Sequence, residues 1–242
     1  PLVGAAEAAA APEPPAAAEG EAAVVDLRTL GEIKARYDAF DEQREQVMKR
    51  SRDVVKGAKN AIYALHREDY RKADNFLKQC AKDATEIHRD SVSQYPRLRE
   101  GFFSASLEEF AEALVYRAFK QDRRLLGLEE MQEKSGLPFP MTLAEYLGGI
   151  MDLTGEVGRM AVRSASGGRK SRPTVERCLA CADAVYNGVQ ELPALPGRLG
   201  KKIGPLKSTL TKIEGVLYEL ALLSQGVSIR TDLAEAPEPM ED

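Results

Sequence analysis

The chain has 242 residues, of which 43% are hydrophobic, 6% aromatic and 30% charged, with no Trp. That length gives one large domain or two small ones, and the mix suits helices whose outer faces are solvated. No apolar run approaches the ~20 residues needed to cross a bilayer, so no membrane partner is expected.

The formal net charge of −4 argues at first against a nucleic-acid partner, but the charge is unevenly placed. Residues 1–23 carry four Glu and no base, and residues 233–242 carry three Glu, one Asp and no base. Removing those eight negative charges from −4 leaves the middle at +4, a mildly basic body compatible with phosphate contacts. The Ala, Pro, Glu and Gly of residues 1–23 cannot bury a core, so this stretch and the acidic end at 233–242 are expected to be disordered tails. A single helical domain is expected over 24–232.

Three cysteines, Cys80, Cys178 and Cys181, make an odd number. The first basic residue is Arg28, so the sequence shows no charged leader. Together these predict a reduced compartment, cytoplasmic and/or nuclear. Cys178 and Cys181 form a C-x-x-C, but no second ligand pair accompanies it. They read as small helical core residues rather than a zinc or redox pair.

The elements follow a helical period throughout. Val47, Met48, Ser51, Val54, Val55, Ala58, Ala61, Ile62 and Leu65 form one stripe along a first long helix. Leu77, Cys80, Ala84 and Ile87 predict a second, ended by Pro96. Residues 105–123 predict a third, with Leu107, Phe110, Ala113 and Leu114 inward. Gly127, Gly136, Pro138 and Pro140 mark a connection around a short helix at about 128–134. Thr142 and Glu145 have capping-box spacing for a helix running to about residue 164. Gly167-Gly168 breaks the chain, and Pro173 suits the first turn of the next helix, which ends near Pro193 and Pro196. Ile203, Leu206, Leu210, Ile213, Leu217 and Leu220 then form a heptad-like seam that calls for a helical partner along its length. No stretch alternates with period two for long enough to predict a strand.

Two segments carry candidate chemistry. Glu109 and Glu112 stand three apart on the third predicted helix, and Asp152 and Glu156 stand four apart on the fifth. Each pair shares a helix face, and like charges at these spacings repel. On spacing alone, such pairs are also common on solvated faces. If the two helices pack side by side, four carboxylates converge, and hard oxygen donors of that kind suit Mg²⁺ or Mn²⁺. Gly148, Gly149 and Gly155 lie inside the same helix, at up to ~1 kcal/mol each relative to Ala, which predicts close approach by a backbone or a ligand.

Other chemistries are set aside by the motifs. His66 and His88 are the only histidines, and neither lies in a His-Glu-x-x-His or nucleophile-elbow context. Each reads as a helix-end or surface residue. No phosphate-binding Gly-rich loop follows a strand. Basic residues cluster at Lys56 and Lys59, at Lys120, Arg123 and Arg124, at Arg159 and Arg163, in the loop at Arg169, Lys170 and Arg172, and along the last helix at Lys201, Lys202, Lys207 and Lys212. Arg123, Arg124, Arg159 and Arg163 are selected as phosphate contacts because each shares a helix with a carboxylate pair; a solvated face with local ion pairs is the competing reading. No aromatic-rich platform is visible, so sequence-specific base reading is not expected.

These segments resemble the translin family, and within it the translin-associated factor X branch, over about residues 40–225. Lys49-Arg50-Ser51-Arg52-Asp53 and Ala64-Leu65-His66-Arg67 are similar to that branch's first long helix. Glu108-Glu109-Phe110-Ala111-Glu112-Ala113 and Asp152-Leu153-Thr154-Gly155-Glu156, with Arg159-Met160 after it, match its two acidic elements; Lys212-Ile213-Glu214 to Tyr218 is also similar. The resemblance implies an all-α fold of about seven helices that assembles into a hollow oligomer. It implies Glu109, Glu112, Asp152 and Glu156 as the metal and catalytic cluster of a Mg²⁺-dependent endoribonuclease, with Mn²⁺ as the other candidate ion. It further implies single-stranded RNA or DNA as ligand, cleavage of small-RNA passenger strands or tRNA precursor fragments, and a translin-like subunit or self as partner in an octamer. A non-catalytic single-stranded DNA/RNA-binding protein is the alternative. Two features depart from the family pattern: a short link at about 128–141, and an acidic N-terminal stretch without an import signal.

Overall fold

A computed structural model describes residues 27–195 and 197–224. The expected tails at 1–23 and 233–242, and the domain's expected edges at 24–26 and 225–232, lie outside the described residues. The chain divides into two units between Asp41 and Glu42. The described part of the first is helical and leaves Leu27, Leu30, Ile33 and Tyr37 exposed.

Seven α-helices and no strand are found among the described residues: α1 Leu27–His66, α2 Tyr70–Ile87, α3 Phe102–Asp122, α4 Leu128–Ser135, α5 Leu143–Ala165, α6 Arg172–Gln190 and α7 Ile203–Ser224. The fold is all-α, as the periodicity predicts. In α1 the stripe is buried at Val47, Ser51, Val54, Ala58, Ala61, Ile62 and Leu65. Asp69 starts α2 by accepting from the Lys72 amide at 3.0 Å, which satisfies one of the orphan donors of a helix start. The helical path of α2 runs on beyond Ile87 through a π-turn at His88–Val92 before Pro96 opens a 3-10 turn.

The core sits around α3 and α5. Phe103, Phe110, Tyr116 and Phe119 of α3 are all fully buried, and each such side chain stabilises the fold by roughly 1.5–3 kcal/mol. The predicted capping box is present: Thr142 Oγ1 accepts from the Glu145 amide at 3.2 Å, and Glu145 Oε2 accepts from the Thr142 amide at 2.8 Å. The same Glu145 carboxylate is held by Arg99, with Nη2 at 2.7 Å, so the start of α5 is fixed from two directions. Gly136, in the left-handed region at φ 68°, ends α4 where a side chain would be strained.

The seam on α7 packs within this chain. Leu206, Leu210, Ile213 and Leu220 are buried, and α7 lies against α5 and α6. The Cβ that Gly158 of α5 lacks would come within 2.7 Å of Thr209 Cγ2, so a glycine is what lets α7 close on α5.

Candidate active site

The site begins with two glycines. A Cβ built on Gly149 would lie 2.7 Å from the Ala111 Cβ and 2.8 Å from the Glu112 amide nitrogen. One on Gly148 would lie 2.3 Å from Glu108 Cδ. At Gly149 the obstacle is the backbone and Cβ of α3, so the two helices approach this closely only because that side chain is missing; at Gly148 it is the Glu108 side chain. Glu109 and Glu112 of α3 are thereby brought beside Asp152 and Glu156 of α5, as the spacing predicts for helices packed side by side.

The electrostatic consequence is concentrated on Glu112. Its side chain is 8% exposed. Burial first, then Asp152, Glu109 and Glu156, push its carboxyl up to about 8. Glu109 is also raised, mainly by burial, with Lys59 opposing from α1 at 3.4 Å. Among the described residues Glu112 is the one member of the four without an ion-pair partner.

The other carboxylates are met by protein cations or by a ring. Asp152 is bonded to the Lys202 ammonium, which also contacts Glu108 at 2.5 Å. Burial alone would lower Lys202, but its bonds to Asp152 and Glu108 outweigh that and hold it above its ordinary value. Glu156 meets Nε2 of His66 and the guanidinium of Arg159, the latter at 3.1 Å. With a proton on Nε2 facing the carboxylate, Nδ1 accepts from the Tyr116 hydroxyl at 3.1 Å. Burial pushes that hydroxyl's pKa up, so it remains a donor.

A cleft of about 360 Å³ opens over three of the four carboxylates, Glu109, Glu112 and Glu156, and is lined also by Lys59, His66 and Arg159; Asp152 does not line it. Among the described residues no group of three or more His, Cys, Asp or Glu side chains stands in a metal-holding arrangement. The donor chemistry nevertheless fits a hard divalent ion: four carboxylates of adjacent helices, one of them buried and, among the described residues, without an ion-pair partner. Oxygens of Asp152, Glu109 and Glu156 are engaged by Lys202, Lys59, Arg159 and His66.

The four selected arginines divide. Arg159 stands in the cleft. Arg163 is one turn on, and its Nη1 donates to the His66 carbonyl at 2.7 Å, so it closes the C-terminus of α1 and steadies the histidine. Arg123 and Arg124 do not line this cleft. They follow Glu112 by eleven and twelve residues, about 16 Å or more along the helix direction. Arg123 takes the left-handed cap of α3 at φ 57°, with its guanidinium 3.9 Å from Met160 Sδ. Arg124 is bound by both nitrogens to Glu130, one at 2.7 Å.

His66, Tyr116, Glu108 and Lys202 complete the site without having been selected from the sequence. His66 ends α1, as the helix-end reading expects, but it is not a surface residue: its side chain is 10% exposed. Its step of four from Ile62 continues the α1 core stripe, which is the signal that points inward. Lys202 is 50 residues from Asp152, and no local pattern connects them. The three cysteines are free, and burial pushes Cys178 up to about 11 and Cys181 up to about 12, which suits inert core thiols.

A seven-helix bundle with acidic pairs facing across a glycine contact defines the class. The Translin family profile matches residues 42–223. Translin-associated protein X of Mus musculus is 26% identical over 86% of this chain and 84% of its own length. The Translin-associated protein X homolog of Schizosaccharomyces pombe is 21% identical over 81% and 90%. Translin of Homo sapiens is 30% identical, but over only 40% of this chain and 41% of its own. Among solved structures, apo-NeC3PO matches with a TM-score of 0.66 at 21% identity, covering 81% of this chain and 99% of its own. The AfC3PO–duplex RNA complex matches at 0.60 and 18%, covering 81% and 98%. The chain belongs to the translin family, and its long matches place it with the X branch.

Proposed function

We propose that this chain is a metal-dependent endoribonuclease that cuts single-stranded RNA, as a subunit of a translin-type assembly formed with itself or with a translin-like partner in the cytoplasm or nucleus. The observation that carries the reading is Glu112: a buried carboxylate beside three others, opposed by Lys202 only at a distance and without an ion-pair partner among the described residues. Glu109, Glu112, Asp152 and Glu156 would hold Mg²⁺ or Mn²⁺. A bound ion of this kind draws charge from a phosphate oxygen and makes water a better nucleophile.

The chain's own residues supply the rest. Tyr116 and His66 fix the direction of the Glu156 carboxylate. Lys59 and Arg159, both exposed at the cleft, bring positive charge to a phosphodiester. The AfC3PO–duplex RNA complex, a structure of the same fold, supports RNA as the polymer.

A second reading, a non-catalytic single-stranded DNA/RNA-binding protein, is favoured by the pairing of Asp152 with Lys202 and of Glu156 with His66, which leaves those oxygens engaged. Calorimetric titration of the full chain with Mg²⁺ or Mn²⁺ separates the two. Saturable binding that is lost in Glu112→Gln, Asp152→Asn supports the nuclease; no saturable binding by the folded wild type supports the binding protein.

A further inference from the structure

Asp152 borders a second cleft, of about 300 Å³, between α5 and the turn that leads into α7. Its α5 side includes Asp152 and Gly155, one helical turn apart. Its α7 side carries Arg198, Lys201, Lys202 and Thr209. Arg198 and Lys201 are exposed, and among the described residues neither has an ion-pair partner. Lys202 is the exception, already engaged by Glu108 and Asp152.

The glycines of α5 supply an independent observation. Gly148, Gly149 and Gly158 each stand where a Cβ would collide with a neighbour at under 3 Å, so packing explains them. Gly155 does not fit that explanation, because a Cβ there would meet nothing within 4 Å. A mid-helix glycine is unfavourable by up to ~1 kcal/mol. What Gly155 provides instead is open space in the floor of the basic cleft.

We propose that this cleft is a phosphate subsite, which takes a phosphate group of an RNA strand next to the one lying at the carboxylates. Arg198 and Lys201 hold it, Lys202 stands between it and Asp152, and Gly155 leaves the room it needs. The inference rests on the reading that the chain binds RNA, but not on its cutting it. Arg198 and Lys201 supply the positive charge, because Lys202 is balanced within the protein. The strand would then cross from the Arg159 cleft over α5 to the start of α7, a path set by backbone charge rather than by bases.

The test is binding of labelled single-stranded RNA to the full chain in EDTA, across a salt series, with 5′-phosphate and 5′-hydroxyl oligomers. Arg198→Gln, Lys201→Gln should bind about tenfold more weakly near 0.1 M salt, with the slope of log affinity against log salt reduced by about 1.4 for two lost contacts. Gly155→Leu should weaken binding without removing a charge, Gly155→Ala should do so less, and both should melt no lower than wild type. A loss confined to the 5′-phosphate oligomer assigns the subsite to a terminal phosphate; an equal loss in both assigns it to an internal diester. An unchanged slope in the double variant, or wild-type binding by folded Gly155→Leu, overturns the proposal. Cleavage is measured separately. A reduced slope in a chain that cuts nothing even with a translin-like subunit added leaves the subsite standing and the nuclease reading fallen; intact cutting with an unchanged slope does the reverse.

Discussion

The missing Cβ of Gly149 would lie 2.7 Å from the Cβ of Ala111, and this contact sets the separation of the two acidic helices. Gly149→Ala should therefore force α3 from α5 and destabilise the fold by about 2 kcal/mol, in the range of overpacked cores. Gly155→Ala, six residues on in the same helix with open space above it, should leave stability unchanged or raise it by a few tenths to ~1 kcal/mol. Denaturant melts of the two variants check the contrast. Equal effects would mean that the α3–α5 contact is not what demands glycine.

Glu112 gives a pH dependence. Its folded pKa, about 8, is raised from an ordinary carboxyl's 4.5, so the native state binds a proton that the unfolded chain has released between those values. The unfolded state carries fewer protons there, so stability falls as pH rises through this window. Glu112→Gln should melt at the wild-type temperature near pH 4 and about 5 °C above it near pH 9, taking ~2 kcal/mol and the usual 2–4 °C per kcal/mol for a domain of this size. A wild-type melting temperature that is flat from pH 5 to 8, once other groups are matched in the variant, would contradict the burial of this charge.

The Tyr116–His66–Glu156 chain predicts a separable effect. Tyr116→Phe removes one buried hydrogen bond, at about 1 kcal/mol in stability. In an active assembly it should lower kcat several-fold with little change in KM, because the Glu156 direction is lost while the phosphate contacts remain. A change confined to KM would place His66 and Tyr116 in ligand binding instead.

The arginines should sort by position. Arg159→Gln should weaken RNA binding and reduce the salt slope by about 0.7, the value for one contact on a single strand. Arg124→Gln should leave both unchanged, because its guanidinium is engaged by Glu130. The reverse ranking would move the RNA path to the end of α3.

Most of the fold is legible in the sequence because helix periodicity is local. The stripe Val47 to Leu65, the Thr142–Glu145 box and the Gly136 stop each specify structure within a few turns. The π-turn at His88–Val92 carries no such signal, since its apolar spacing continues that of α2. The acidic pairs are legible for the same local reason, as i,i+3 and i,i+4 neighbours. Lys202 and His66 are not, because they reach Asp152 and Glu156 across 50 and 90 residues. Arg123 and Arg124 share a helix with Glu112, but sharing a helix fixes direction, not distance, and they end up at its far end.

The central claim is that these carboxylates cut RNA. The most direct measurement is cleavage of a labelled single-stranded RNA by the purified chain, alone and with a translin-like subunit added, in Mg²⁺ or EDTA, beside Asp152→Asn, Glu156→Gln. Metal-dependent cutting is expected, lost in the variant while RNA binding is kept. Intact RNA under every condition, with tight binding by both proteins and with the partner present, would contradict it and leave a nucleic-acid-binding protein whose acidic cluster is balanced by its own lysines and histidine.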